Sequence, residues 1–227
     1  MARGPFDPTY DELPAILPVF PLAGVLLLPS GKLPLNIFER RYLAMTRESL
    51  SNGRMIGMIQ PTGMGDSATG PLLYPTGCVG RIVNFAETDD GRYLITLHGV
   101  IRFRIKQELD LLHGFRRVTP DYAPFRGDMA ETAEAMDDLG RARILKALQR
   151  YFRVNNVSAN WEAIKKMDDL TLVTTIAMSC PFEPTDKQAL LESDGLAARG
   201  QVLAALLEMG AIAPSGESDD STPPTRH

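Results

Sequence analysis

Residues 17–42, LPVFPLAGVLLLPSGKLPLNIFERRY, decide the fold class of this chain. Prolines interrupt the apolar segments of this stretch at Pro18, Pro21, Pro29 and Pro34. Because proline lacks the backbone N–H that a helix interior needs, no regular helix can run through Leu35. The stretch therefore predicts short strands joined by tight corners. A helix is predicted to follow over about residues 39–51, with Asn52 and Gly53 as its stop signal.

Strand signals continue from this stretch to about residue 122. Residues 77–87, GCVGRIVNFAE, and residues 93–106 are rich in β-branched and aromatic side chains, and Asp90-Gly91 between them predicts a hairpin turn. Apolar residues alternate along the second segment at Tyr93, Ile95, Leu97, Ile101, Phe103 and Ile105. The alternation predicts that Arg102, Arg104 and Lys106 point the other way, as a solvated or ligand-facing stripe.

The spacing of apolar residues changes after residue 127 from a period of about 2 to about 3.6, which predicts a domain boundary. Asp128 followed by Glu131 has the pattern of a helix N-cap. Apolar or small residues then recur every four positions along one predicted helix face at Met136, Gly140, Ile144, Leu148 and Phe152. Further helices are predicted over residues 161–166, 170–179, 184–192 and 196–209, and Gly210 is predicted to close the last.

The predicted organisation has four parts. Residues 1–15 form an N-terminal extension, residues 16–126 a β-barrel domain, and residues 127–212 a helical bundle. Residues 213–227 are rich in serine, proline and acidic residues and lack apolar periodicity. We therefore expect this tail to be disordered.

Three segments resemble the N-terminal domain of Lon proteases. The first comprises LPVFPL (17–22), LLP (27–29) and LPLNIFERRYLAM (33–45). In residues 77–105, a Gly-x-Ile-x-x-Phe strand, an Asp-Gly turn and a Gly-x-x-Arg-Phe strand follow in the family's order. Residues 177–192, AMSCPFEPTDKQALLE, resemble the helical part of freestanding members. The resemblance implies an α+β fold, with a PUA-like, mostly antiparallel β barrel and one covering helix, followed by an α-helical bundle.

Composition and charge exclude several classes of protein. With 44% hydrophobic and 23% charged residues, the chain is typical of a folded globular protein. Its formal net charge of -4 argues against nucleic acid as the main partner, because phosphate binding needs clustered Lys and Arg. Its apolar stretches fall far short of the roughly 20 residues that cross a bilayer, and no secretory signal pattern precedes them. We therefore expect a cytoplasmic protein.

The sequence offers no recognisable catalytic or metal motif. Cys78 and Cys180 lie far apart and are predicted to be buried, reduced thiols, and the few histidines give no ligand spacing typical of zinc. Gly31-Lys32 lacks the first glycine of a phosphate loop, and no GxSxG elbow accompanies His98. A full-length Lon protease carries an ATPase module and a Ser-Lys dyad after the segment that this chain resembles. Since neither is evident here, we expect no enzyme and no cofactor.

Candidate peptide-binding residues come from three places. The loop over residues 60–73 combines glycines with apolar side chains, as an adaptable binding rim does, although a variable surface loop has the same pattern. The arginines of the family-like blocks can clamp a carboxylate or tie the barrel's own loops together. An aromatic residue of the helical half can anchor a partner or pack between helices. The candidates are Pro61, Met64, Leu72, Arg81, Arg102 and Trp161.

The resemblance implies non-enzymatic recognition of unfolded or partly folded polypeptides, through apolar side chains at the barrel rim and at the junction with the bundle. Two alternatives remain open. The chain can be a regulator or adaptor that docks on a full-length Lon-type protease, which predicts binding to that protease and not to unfolded peptide. It can also be a PUA-like RNA-binding module, which predicts a steep loss of affinity with salt.

Overall fold

A computed structural model describes residues 8–67, 70–130 and 135–212, without the side chains of residues 64–67. The strands are β1 Leu17–Pro21, β2 Lys32–Ile37, β3 Met55–Ile59, β4 Pro61–Ser67, β5 Gly70–Leu73, β6 Thr76–Glu87, β7 Tyr93–Leu112 and β8 Phe115–Asp121. The α-helices are α1 Arg40–Ser51, α2 Asp138–Val154, α3 Trp161–Lys166, α4 Asp169–Ser179, α5 Pro184–Glu192 and α6 Gly195–Gly210. The predicted disordered tail and Glu131 lie outside the described residues.

The main sheet closes on itself as a barrel. Its strand order is β2-β7-β6-β3-β1-β8, and an additional β7–β8 pairing closes the ring of β7, β6, β3, β1 and β8, with β2 on the outer edge of β7. Only β1 and β3 run parallel among these pairs, so the sheet is mostly antiparallel. The 20-residue β7 makes closure feasible, because its first half pairs with β2 and β6 and its second half with β8. The predicted α+β barrel is confirmed.

The barrel interior is packed around Phe103 of β7, which is fully buried. Leu17, Val19, Val79 and Ile101 belong to the same buried cluster. Gly57 and Gly77 lie against the Phe103 ring, where a Cβ would come within 2.9 Å and 2.6 Å of its Cζ atom. Glycine at both positions leaves the space that this large ring fills.

Helix α1 forms as predicted and packs against β1, β3 and β8 of the barrel. Its buried Tyr42 ring lies 4.2 Å from the ring of Phe20 in β1, measured between centroids. The hairpin between β6 and β7 is also confirmed: Thr88 N–H donates to the Arg92 carbonyl at 3.0 Å, and Gly91 has a φ of +79°. Positive φ at the turn is the reason that glycine is favoured there.

The helical half is organised around α6, which contacts α2, α4 and α5. The predicted bounds of α3 and α5 agree with the structure, and those of α4 and α6 differ by one residue. One buried cluster extends from α2, α4, α5 and α6 into α1 and the β2–β7 face of the barrel. The division into residues 16–126 and 127–212 as separate domains stays a prediction.

Two local predictions were wrong. Asp128 does not start a helix: it lies in a 3-10 helix, Ala123–Met129, and α2 begins at Asp138 after Asp137, whose carboxylate accepts from Gly140 N–H at 2.7 Å. The predicted loop over residues 60–73 is instead largely a hairpin of β4 and β5. Local sequence patterns did not reveal that Asp128 binds the buried Arg102 of β7. They also did not reveal that β4 and β5, within the glycine-rich segment, pair with each other.

Candidate functional site

An open groove lies where the barrel meets α4. Its volume is ≈ 370 Å³. The barrel side is formed by Ser30, Gly31, Lys32 and His98. The helix side is formed by Leu170, Thr171, Thr174, Thr175, Met178 and Ser179. We call this the α4 groove.

The barrel wall of the α4 groove is a tight turn bonded to β7. Ser30 has a φ of +66°, and its N–H donates to the Gly99 carbonyl at 2.8 Å. Gly99 N–H donates in return to the Gly31 carbonyl at 2.8 Å. A Cβ at Gly99 would overlap the carbonyl oxygen of Leu28, so glycine is required for the turn to lie this close to the strand. The barrel wall of the groove is therefore held firmly against β7.

The helix wall is one face of α4. Thr171, Thr175 and Met178 fall at positions i, i+4 and i+7, and they remain half-buried or exposed, whereas Leu172, Val173, Ile176 and Ala177 are buried. Met178 lies over Gly31, where any side chain would meet its sulfur. Asp168 caps the helix by accepting from Thr171 N–H at 2.9 Å and from its hydroxyl at 2.7 Å. The groove thus presents a flexible thioether, methyl groups and hydroxyls on a fixed helix.

Thr174 adds a polar atom to this lining. The residue is 4% exposed, and its Oγ1 finds no hydrogen-bond partner in the part of the chain that the structure describes. Buried hydroxyls usually have a partner, because leaving one unpaired costs free energy. An apolar groove with a few hydroxyls suits an extended polypeptide, whose side chains bury apolar area while its backbone needs polar partners.

A neighbouring part of the same junction is held together by polar bonds, and we call it the closed side. Arg102 of β7 is 5% exposed and binds both carboxylate oxygens of Asp128, with Nη2 at 2.7 Å from Oδ1 and Nε at 2.9 Å from Oδ2. Its Nη1 donates to the carbonyls of Leu191 at 3.0 Å and Ser193 at 2.7 Å. The side chain also lies 4.7 Å from the centre of the Phe125 ring.

Gln60 and Gln188 extend the closed side. Gln60 Nε2 donates to the Pro184 carbonyl at 2.9 Å, and its Oε1 accepts from Gly24 N–H at 3.2 Å. Gln188 Nε2 donates to the Thr76 carbonyl at 3.1 Å. Lys187 Nζ, on the same helix, donates to the Gly24 carbonyl at 2.7 Å. Helix α5 is therefore fixed to the barrel by side chains that bind backbone.

Ionisable groups near the junction are perturbed by burial. Burial lowers the pKa of Lys187 from its ordinary value, and the Cys180 thiol acts in the opposite direction. Burial raises the pKa of Cys180 to about 11, against the effect of the Lys187 charge. Burial also raises the pKa of Cys78 well above its usual range. Both cysteines are buried and free, as predicted, and their thiols stay protonated at neutral pH.

The structure separates the six predicted peptide-binding residues. Pro61 is half-buried in β4, Leu72 is 47% exposed in β5, and the side chain of Met64 in β4 is not described. Arg81 is half-buried in β6 opposite Met55. The half-buried Trp161 packs 5.7 Å from Phe152, measured between ring centres. Peptide binding by these residues stays a prediction.

Arg102, Arg104 and Lys106 were predicted to form a solvated or ligand-facing stripe; a solvated position is wrong for Arg102 and agrees with the exposure of Arg104 and Lys106. Arg104 and Lys106 are exposed, whereas Arg102 is covered by α5, by the 3-10 helix and by Asp128. Alternation along a strand shows which residues share a face, but it does not show what packs on that face. The threonines of the α4 groove were missed altogether. Their signal was three threonines, Thr171, Thr174 and Thr175, within the mainly apolar segment between Leu170 and Met178.

No helix within residues 8–67, 70–130 and 135–212 is long and apolar enough to span a membrane. Over the same residues, no three His, Cys, Asp or Glu side chains come together as a group that could hold a metal ion.

Comparison with known proteins gives one consistent result. The family model of the ATP-dependent protease La (LON) substrate-binding domain matches residues 16–209. The Lon protease of Anaeromyxobacter dehalogenans is 25% identical over 205 residues, which are 87% of this chain and 23% of that protease. This chain therefore spans about a quarter of the length of that relative.

Solved structures agree in fold. A Lon N-terminal domain protein from Xanthomonas campestris superposes with a TM-score of 0.59 at 22% identity, over 84% of this chain and 97% of that one. The N-terminal domain of a Mycobacterium avium complex Lon protease gives a TM-score of 0.57 at 17% identity, over 85% of this chain and 97% of that one. At these identities the likeness establishes the fold alone.

Proposed function

Because the chain belongs to the Lon substrate-binding domain family, we propose that it recognises polypeptide substrates without a chemical step of its own, and that it does so in the α4 groove. The observation that supports this proposal is an apolar groove with a few hydroxyls at the junction of barrel and helices. The proposal includes the expected cytoplasmic location and partly unfolded polypeptides as partners.

The physical basis is burial of client side chains. Each 100 Å² of apolar surface removed from water contributes roughly 2.5 kcal/mol before the entropic cost of ordering the client. Met178 can adjust to different side chains, because its thioether chain has several rotatable bonds. Thr175 is exposed and offers its hydroxyl to the client backbone, and the Thr171 hydroxyl, which donates to Asp168, can still accept from it. Together these features favour modest affinity and broad selection of exposed apolar segments.

The experiment fills the groove. Thr175 is exposed on its α4 wall, so Thr175→Trp adds a large ring there without entering the core. Binding of a fluorescein-labelled, uncharged 14-residue peptide, with four leucines among serines and glycines, is measured by anisotropy. We expect Thr175→Trp to weaken binding about tenfold, equivalent to about 1.4 kcal/mol.

The matched control is Thr185→Trp, which places the same residue on the exposed face of α5 outside the groove. We expect it to bind the peptide as the parent chain does. Equal affinities for both tryptophan variants would overturn the assignment to the α4 groove. Failure of the parent chain to bind the peptide, together with tight binding to an intact Lon-type protease, would favour the adaptor alternative instead.

A further inference from the structure

A second surface carries a strong local charge. Four basic residues, Arg143, Lys146, Arg150 and Arg153, are exposed on α2 at positions i, i+3, i+7 and i+10. This spacing places them on one face of the helix. They line a groove of ≈ 690 Å³ that Glu208 of α6 also lines. We call this surface the basic face.

The basic face contrasts with the charge of the whole chain. Helix α2 holds five basic residues and one acidic residue, Asp138, which gives it a net charge of +4, while the chain has a formal net charge of -4. Arg141 is the one basic residue of α2 off this face, and it is bonded to Asp169. The positive charge of α2 is therefore concentrated where solvent and partners can reach it.

One carboxylate already occupies an end of the basic face. Arg143 donates from Nε to Glu208 Oε1 at 2.9 Å and from Nη2 to Oε2 at 2.7 Å. This two-bond geometry is the form in which arginine recognises carboxylates. The hydrogen bond from Arg143 and, to a smaller extent, the charge of Lys146 lower the pKa of Glu208. The surface thus binds a carboxylate within the chain itself.

Among the residues that the structure describes, the other cations of the basic face have no such partner. No ion pair joins Lys146, Arg150 or Arg153 to an acidic residue within the described ranges. From Lys146 to Arg153 the helix rises about 10 Å, which three or four residues of an extended chain would cover. The face is therefore long enough for a short peptide carrying two or three carboxylates.

We propose that the basic face docks an acidic, extended polypeptide segment, separately from the α4 groove. Nucleic acid fits less well, because Tyr151 is buried and Phe152 is half-buried, so the face offers no exposed ring on which a base could stack. Arginine predominates among its cations, and its planar fork matches carboxylates. Gln149, also exposed in this groove, supplies an amide for the backbone of the segment.

The test uses a probe without apolar residues. A fluorescein-labelled peptide of six Glu-Ser repeats is titrated with the full chain at low salt, beside a labelled oligothymidylate carrying six phosphates. We expect the double variant Lys146→Glu, Arg150→Glu to weaken peptide binding at least tenfold. Neutral Lys146→Gln, Arg150→Gln is expected to weaken it less. Thr175→Trp is expected to leave it unchanged, so the two surfaces can be judged independently.

The matched control is Arg104→Glu, Lys106→Glu, which makes the same change in net charge at two exposed positions of β7. We expect less than a twofold effect from it. Equal losses in both double variants would overturn the proposal, since the binding would then reflect net charge alone. Tighter binding of the oligothymidylate would assign the face to nucleic acid. Binding seen only after truncation at Ile212 would assign it to the chain's own acidic residues Glu217, Asp219 and Asp220.

Discussion

The two sides of the barrel–helix junction are built in opposite ways. On the closed side, buried polar side chains of β7, α5 and residue 60 bind backbone carbonyls across the junction. On the open side, α4 faces the turn over residues 29–31 across the α4 groove. The hydrogen bonds of the closed side fix the helices relative to the barrel, and the apolar walls of the α4 groove leave room for a bound peptide. We infer that the closed side sets the width of the groove.

The largest expected effect comes from breaking the closed side at Arg102. Arg102→Ala leaves the Asp128 carboxylate, whose side chain is 10% exposed, without its arginine partner, and it removes the hydrogen bonds to the Leu191 and Ser193 carbonyls. Removing one member of a buried ion pair costs about 3 to 5 kcal/mol. Urea unfolding measures the loss. Arg104→Ala, two residues along the strand and exposed, is the control and is expected to change stability by less than about 0.5 kcal/mol.

If Arg102→Ala lost less than about 1 kcal/mol, the closed side would not be the element that holds the helices on the barrel.

The next largest effect is expected from a change in the barrel wall of the α4 groove. In Gly99→Ala the added methyl meets the Leu28 carbonyl and pushes the turn over residues 29–31 away from β7. Overpacking of this kind costs about 2 to 3 kcal/mol. We also expect weaker binding of the uncharged leucine peptide, measured by anisotropy. Gly127→Ala is the control, because a Cβ there meets nothing within 4 Å.

A peptide affinity equal to that of the parent chain in Gly99→Ala would show that peptide binding does not depend on the barrel wall. The α4 groove would then not be the binding site of the proposed function.

A smaller effect on stability is expected from Cys180, the residue directly after α4. Its thiol follows α4, and burial raises its pKa from 9.0 to about 11, so the folded chain holds a proton that the unfolded chain releases. Stability is therefore lost as pH rises through this interval, by about 1 kcal/mol at pH 10. Lys187, whose pKa is lowered, acts in the opposite direction. The comparison of parent and Cys180→Ala isolates the thiol.

We expect Cys180→Ala to lose less stability than the parent chain between pH 8 and pH 10, measured by urea unfolding. Parallel curves for the two chains would show that the thiol is not protected at this end of α4.

The smallest effect concerns the start of α4. Asp168→Ala removes the cap of the groove helix and is expected to cost about 1 kcal/mol in thermal or urea unfolding. Hydrogen bonds from the backbone and side chain of Thr171 lower the pKa of Asp168, so the cap is present at neutral pH and is lost as pH falls through that lowered value. Asp168→Ser keeps an acceptor and is expected to restore most of the stability. A serine variant as unstable as the alanine variant would exclude capping as the cause.

Local signals explain what the sequence could predict. The bounds of α3 and α5 and the turn between β6 and β7 follow from caps, prolines and an Asp-Gly pair, which act within a few residues. The resemblance at residues 17–45 and 77–105 likewise predicted the barrel.

Long-range contacts explain what could not be predicted from the sequence. Arg102 occupies a polar position of an alternating strand, yet its partners come from residues 128, 191 and 193. The α4 groove needs residue 31 beside residue 178, and no period in the sequence relates them. Such contacts depend on how the barrel closes and on where α4 then packs.

Closure of the barrel also has a consequence for folding kinetics. The β6–β7 hairpin joins strands through a short turn, whereas the seam between β1 and β8 pairs Leu17 with Val118. Bringing together residues roughly a hundred positions apart costs chain entropy before any contact compensates for it. We therefore expect the hairpin to form early and the seam to limit the folding rate. Until it closes, β1 and β8 remain unpaired edges, the stage at which the chain is most exposed to aggregation.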